Sequence, residues 1–179
     1  MFTILFVCTG NRCRSPFAEA ALRAACSSDW IEVSSVGTLD YENVESPPEM
    51  IRAAMRFDID LSQHRSRHIG NVTYEYPDLL LGMSLEHIAL SVEAGAHPAK
   101  CFSIQELLRL AKGDGPARSE SDARELVARA HQRRLGERTF SPNDEIPDPM
   151  GGPPTGYEVA AENLDKASRQ LAQLFCGGR

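Results

Sequence analysis

Phe2-Thr3-Ile4-Leu5-Phe6-Val7-Cys8-Thr9-Gly10-Asn11-Arg12-Cys13-Arg14-Ser15-Pro16-Phe17-Ala18-Glu19-Ala20 is the stretch that decides the fold. Phe2 to Val7 is an apolar, β-branched run of strand length that ends at Cys8. A short polar segment with one glycine follows, and an alanine-rich amphipathic pattern then opens with Pro16 near its start. The order is strand, loop, helix. Amides of such a loop and of the first helical turn lack intrachain acceptors. They converge on the loop mouth, where the helix dipole adds about half a positive charge. Arg14 contributes a planar fork of donors that suits a tetrahedral oxyanion such as phosphate. Cys8 lies beneath that anion in the same positive field, which favours its thiolate over its thiol.

A free cysteine at a strand end is most often just a small buried residue. Here a cysteine, five intervening residues, an arginine and a serine lie between an apolar strand and a helix start, a coincidence that packing does not require. The arrangement resembles the low-molecular-weight protein tyrosine phosphatases, whose signature is a strand followed by Cys-x5-Arg-Ser-Pro near the N-terminus. The resemblance implies Cys8 as nucleophile, Arg14 as phosphate clamp, and a phosphate-binding loop of Thr9, Gly10, Asn11, Arg12, Cys13, Arg14 and Ser15, with Asn11 bracing it. It also implies that Ser15 donates to the Cys8 sulfur and that Cys13 is a redox partner for Cys8. Each has a plainer reading, a helix cap for Ser15 and a second buried thiol for Cys13.

With 179 residues, no internal repeat and no Pro/Gly/Ser linker, the chain reads as one α/β domain spanning 1–179. A formal net charge of −6 argues against a nucleic-acid partner and leaves room only for a local basic rim. No run approaches the roughly 18–20 apolar residues of a membrane span, and no basic segment leads a signal-peptide core. A cytoplasmic protein is expected. Five cysteines, Cys8, Cys13, Cys26, Cys101 and Cys176, form neither a secreted disulfide framework nor paired zinc ligands, so reduced thiols and no metal are expected.

Beyond the loop, Phe17 to Ser28 predicts a helix and Trp30 to Ser35 a second strand, a βαβ unit with a right-handed crossover. Ser35-Val36-Gly37-Thr38 resembles the family's Ser-Ala-Gly-Thr, where glycine lets the backbone turn close to the site. Tyr41 to Pro48 is a polar loop before a helix from Pro48 to Phe57, and by resemblance Tyr41 or Glu42 lines the substrate cleft. Ile59 to Arg67 resembles the family's Gly-Ile-Asp-Leu-Ser-x-His-x-Ala-Arg, with Asp58 in place of glycine and Ser66 in place of alanine. His64, Arg65, Arg67 and His68 read as a structural, solvated rim.

Tyr76-Pro77-Asp78 leads into Leu79 to Met83, an apolar run typical of a buried parallel strand, then a helix from about Ser84 to Ala94. Ser84 stands where the family usually has aspartate. Ala99 to Ser103 predicts a fourth strand and Ile104 to Ala111 a helix. The expected fold is therefore a doubly wound sheet of four parallel strands flanked by helices, with the active-site loop after the first strand, where such sheets bind ligands. Residues 112–144 read as a lengthened connection or insertion, with a charged helix from Ser119 to Leu135 that is a surface helix, a lid or a partner-binding element. Tyr157 to Phe175 has the spacing of a closing core helix.

A second chemical stretch is Asp144-Glu145-Ile146-Pro147-Asp148-Pro149-Met150-Gly151-Gly152. Expelling an alkoxide or phenoxide from phosphorus calls for a proton donor opposite the attacking thiolate. Pro-Asp-Pro alone is a turn signal. Partnered with the Cys8 loop it matches the family's Asp-Pro general-acid loop, which assigns Asp148, with Asp144 as the alternative. Met150 stands where many members have Tyr or Phe and supplies an adaptable apolar wall. The chain thus reads as a cofactor-free phosphatase acting on a phosphotyrosyl protein or small phosphoester and releasing inorganic phosphate. Arsenate reduction on the same fold and a non-catalytic phosphoprotein-binding module are the alternatives. A guanidinium at Arg12 favours acidic phosphopeptides and disfavours phosphoarginine.

Overall fold

Four parallel strands, β1 (Phe2–Cys8), β2 (Ile31–Gly37), β3 (Leu79–Gly82) and β4 (Cys101–Ser103), form one sheet in the order β2-β1-β3-β4 in the computed structural model, which describes residues 1–71, 77–136 and 141–177. The order places β1 at the centre, with the chain crossing to β2 on one side and to β3 on the other. Cys8 ends that central strand at the switch point where such sheets open a crevice. Alternation along β1 sorts its side chains between two layers: Phe2, Ile4, Phe6 and Cys8 face the larger core, Leu5 and Val7 the smaller.

The larger core lies under α1 (Arg14–Ala25), α2 (Pro48–Met55), α4 (Ile104–Leu110), α5 (Glu120–Gly136) and α6 (Pro154–Cys176). The smaller core lies under α3 (Leu85–Glu93), which contributes Ile88 and Val92. Phe2 stacks on Phe175 at 5.5 Å between ring centroids, so α6 is seated on the first residue of the sheet.

Boundaries shift for local reasons. α1 begins at Arg14 rather than Phe17, because Pro16 in its first turn has no hydrogen bond to lose there. This puts Arg14 and Ser15 on the helix itself. β4 is shorter than its apolar run because Pro98 opens a 3₁₀ turn over Pro98–Lys100, capped by His97. Asp58, in place of glycine, takes φ +59° after α2, a conformation that Asp tolerates better than most residues. Tyr76, expected to lead into β3, and residues 137–140 of the long connection lie outside the described residues.

Among the described residues of the long connection, α5 packs away from Cys8. α5 buries Ala123, Leu126, Val127 and Ala130 in the larger core. Its Arg124 binds Asp78, just ahead of β3, and the carbonyl of Met1, so it sits at the amino ends of the strands, opposite Cys8.

The expectation of reduced thiols fails at one pair. Cys26, capping the C-terminus of α1, and Cys176, ending α6, form a disulfide with Cα atoms 5.6 Å apart. Packing of α1 against α6 brings together two cysteines separated by 150 residues. Cys8, Cys13 and Cys101 are free thiols. Among the described residues no helix is long and apolar enough to cross a membrane.

Candidate active site

The loop between β1 and α1 wraps a pocket of about 150 Å³ lined by Cys8, Thr9, Gly10, Arg12, Cys13 and Arg14 from the loop, Leu39 and Tyr41 from the segment after β2, and Asp148 and Met150 from the segment before α6. Three stretches distant in sequence therefore share one mouth. Asn11 and Ser15, also assigned to the loop, lie beneath it, fully buried.

Asn11 knits the loop to the scaffold. It takes φ +49°, and its amide nitrogen donates to Ser15 Oγ (2.9 Å) and Ser35 Oγ (2.8 Å) while its Oδ1 accepts from the Arg67 amide (2.9 Å). His64 donates through Nε2 to the Asn11 carbonyl at 2.7 Å, a structural contact as expected. Burial lowers the His64 pKa, so the ring is mostly neutral near pH 7.

Ser15 Oγ lies 3.0 Å from Cys8 Sγ and 3.2 Å from the Val36 carbonyl. Since Asn11 already donates to this oxygen, its single hydrogen goes to the sulfur or to the carbonyl. The helix-cap reading of Ser15 does not hold, since Cys13 is the N-cap and makes no side-chain capping bond. Burial and the adjacent Cys8 push the Cys13 thiol up to about 12, so Cys13 stays protonated.

Arg14 is 4 % exposed. Its guanidinium donates to the Ile146 carbonyl (3.1 Å), to Thr9 Oγ1 (3.0 Å) and to Asp148 Oδ2 in a close ion pair. Ile146 in turn donates its amide to the Met83 carbonyl at 2.9 Å, so the segment that carries Asp148 is tied to the end of β3. Asp148 Oδ1 accepts from the Met150 amide, which holds the carboxylate in the turn between Pro147 and Pro149. Asp144, the alternative acid, is committed elsewhere: 4 % exposed, it binds Arg109 at 3.0 Å and caps a 3₁₀ turn through Ser141.

The sequence profile of the low molecular weight phosphotyrosine protein phosphatase family matches residues 3–114. The chain belongs to this family, and so to the cysteine-dependent phosphatases. A protein-arginine-phosphatase of Bacillus subtilis is 27% identical over 173 residues, covering 95% of this chain and 94% of that protein. An arsenate reductase of Staphylococcus xylosus is 40% identical over 79 residues, which cover 44% of this chain and 57% of the reductase. The solved structure of the YwlE arginine phosphatase from Geobacillus stearothermophilus superposes with a TM-score of 0.71 at 25% identity, covering 97% of this chain and 92% of that one.

One residue that lines the pocket, Leu39, and one that supports its loop from behind, His87, carry little signal in the sequence. Leu39 carried only the faint signal of an apolar residue just after Gly37-Thr38. His87 lies behind the loop, its Nε2 3.0 Å from Thr9 Oγ1 and its Nδ1 2.7 Å from Ser84 Oγ. Its signal was Ser84, where the family's aspartate was missing. Tyr41 rather than Glu42 reaches the pocket, because Glu42 turns to accept from the His68 amide at 2.6 Å. The loop bearing both is pinned by Ser66, whose hydroxyl and backbone bind Val44 and Asn43.

Proposed function

We propose that this phosphatase hydrolyses phosphomonoesters, protein phosphotyrosine foremost, through a cysteinyl-phosphate on Cys8. The observation that carries the reading is the convergence of Cys8, Arg14 and Asp148 on one pocket, with Arg14 bonded to Asp148. A phosphate dianion entering the loop competes with Asp148 for the same guanidinium and frees the carboxyl to act as an acid. The Cys8 thiolate attacks phosphorus, Arg14 and the loop amides hold the equatorial oxygens, and Asp148 protonates the departing oxygen as the P–O bond breaks. Asp148 then takes a proton from water, which attacks phosphorus, breaks the S–P bond and releases inorganic phosphate. Ser15 stabilises the sulfur as attacking and leaving group through the 3.0 Å contact.

Leu39, Tyr41 and Met150, each between 43 and 45% exposed, form an apolar rim suited to a phenyl ring. Arg12 borders the same mouth, held by donation from its Nε to the Glu45 carbonyl at 2.8 Å. Two cations about 4 Å apart repel by about 1–4 kcal/mol between full and partial solvent screening, which disfavours phosphoarginine here.

Arsenate reduction by a thiol relay has little support. Cys101 faces the opposite core layer from Cys8, and Cys26 and Cys176 are joined at the far end of α1. The test is release of phosphate from para-nitrophenyl phosphate by the reduced protein at mildly acidic pH, with Cys8→Ser and Asp148→Ala. Abolition by the first and strong reduction by the second are expected; wild-type inactivity refutes the reading. Arg12→Ile should gain activity on phosphoarginine peptides relative to phosphotyrosine peptides, and an unchanged ratio removes the charge argument.

A further inference from the structure

Behind the pocket a chain of hydrogen bonds runs from α3 into the loop. Ser84 Oγ lies 2.7 Å from His87 Nδ1, His87 Nε2 3.0 Å from Thr9 Oγ1, and Arg14 donates to that same Thr9 oxygen at 3.0 Å. His87 is 3 % exposed and Arg14 4 %, so the imidazole and the guanidinium are shielded from solvent, while Ser84 and Thr9 between and beside them are half-buried. Thr9 has one hydrogen to give. With one lone pair taken by Arg14, the hydroxyl commits its single hydrogen when it donates to His87 Nε2, and His87 then donates from Nδ1 to Ser84. A hydroxyl fixed in this way cannot rotate its hydrogen toward the guanidinium, and donating also makes its oxygen the better acceptor.

We propose that His87 is a positioning residue for phosphoryl transfer: by accepting the Thr9 hydroxyl hydrogen, it turns a Thr9 lone pair toward Arg14 and holds the guanidinium in the plane that clamps the transferred group. This rests on the roles proposed above for Cys8, Arg14 and Asp148. Burial and then the nearby Arg14 push the imidazole down to about 4, against a smaller opposing pull from Asp148, so Nε2 is free to accept at neutral pH. Of the three anchors on the guanidinium, the Ile146 carbonyl and Asp148 belong to the acid-bearing segment. Thr9 alone belongs to the loop that holds the phosphate. Loss of its orientation lets Arg14 follow the acid segment instead of the loop.

The test is steady-state hydrolysis of para-nitrophenyl phosphate by wild type, His87→Ala, His87→Gln, Thr9→Val and the His87→Ala/Thr9→Val double variant. His87→Ala and Thr9→Val should each lower kcat about 10- to 100-fold with KM within about threefold, since the guanidinium acts mainly on the transition state. The double variant should be no worse than the worse single, because one path is cut twice. His87→Gln, whose amide can meet Thr9 where Nε2 does, should recover most of kcat. Losses that multiply in the double variant, or a Thr9→Val kcat equal to wild type, overturn the positioning role, and the second result holds even if His87→Ala does not fold. An inactive wild type would instead overturn the phosphatase reading and the positioning role together.

Discussion

Replacing Gly37 by alanine tests how tightly the scaffold defines the anion loop. Gly37 ends β2 directly beside Cys8, and a Cβ built on it meets the Asn11 amide nitrogen, the Gly10 carbonyl carbon and the Thr9 carbonyl oxygen, each at 2.9 Å. All three are backbone atoms of the loop, so no side-chain rotation relieves the clash. β2 cannot retreat either, because Gly37 donates to the Arg67 carbonyl (2.8 Å), Thr38 to the Cys8 carbonyl (3.0 Å) and Leu39 to the Thr9 carbonyl (2.8 Å). Ordinary contact begins near 3.4 Å, so the loop must move about 0.5 Å. Overpacking of this kind costs about 1–3 kcal/mol. If a 1 Å misplacement costs about 10²-fold in rate, half of that costs about tenfold. The assay is kcat/KM for para-nitrophenyl phosphate with the inhibition constant of inorganic phosphate, and both should worsen while Gly115→Ala, where a Cβ meets nothing within 4 Å, changes neither. A Gly37→Ala protein with wild-type kcat/KM and phosphate affinity would refute the view that β2 and the loop are locked in contact.

The Cys26–Cys176 disulfide closes a loop of 150 residues, and chain entropy alone gives about 5 kcal/mol, about 13 °C in Tm for a chain of this size. Cys176→Ser should lower Tm toward that extent under non-reducing conditions, and five titratable thiols in the unreduced, denatured wild type instead of three would show that the bond does not form. His87 has its folded pKa depressed from 6.5 to about 4, so the unfolded chain binds its proton first; this contribution is complete above pH 6.5 and is lost as pH falls to about 4. It amounts to about 3 kcal/mol by the size of that shift, and His87→Gln should flatten the unfolding free energy between those limits, measured by denaturant titration. Asp144 and Asp148 should differ in chemistry: Asp144→Ala should cost about 1–2 kcal/mol of stability through its lost capping bond and ion pair, with kcat nearly unchanged, whereas Asp148→Ala should lower kcat strongly. A large kcat loss in Asp144→Ala would reverse the assignment.

By itself the sequence determined the parts of this protein that are local. An apolar run, a loop of fixed length and a helix start lie within Phe2 to Ala20, and strand, loop and helix follow from propensity and spacing alone. Apolar runs of strand length at Leu79 and Cys101 likewise announced the parallel sheet, because strands buried on both faces leave continuous hydrophobic runs. The pairing of Cys8 with Asp148 was legible only because a resemblance supplied it; spacing along the chain says nothing about two segments 140 residues apart.

Tertiary structure decided what depends on two helices or two loops meeting. Cys26 and Cys176 looked like unrelated thiols until α1 and α6 packed side by side. Asp144 and Asp148 are equivalent as residue types, and only the position of Arg109 against one and Arg14 against the other gives them different work. His87 looked like one more helix residue, yet α3 packs so that its ring faces Thr9 across the sheet's carboxyl edge. The physical reason is the same in each case. Backbone preference and hydrophobic period act over a few residues, whereas burial and hydrogen-bond partnership are set by whichever distant segment fills the remaining space.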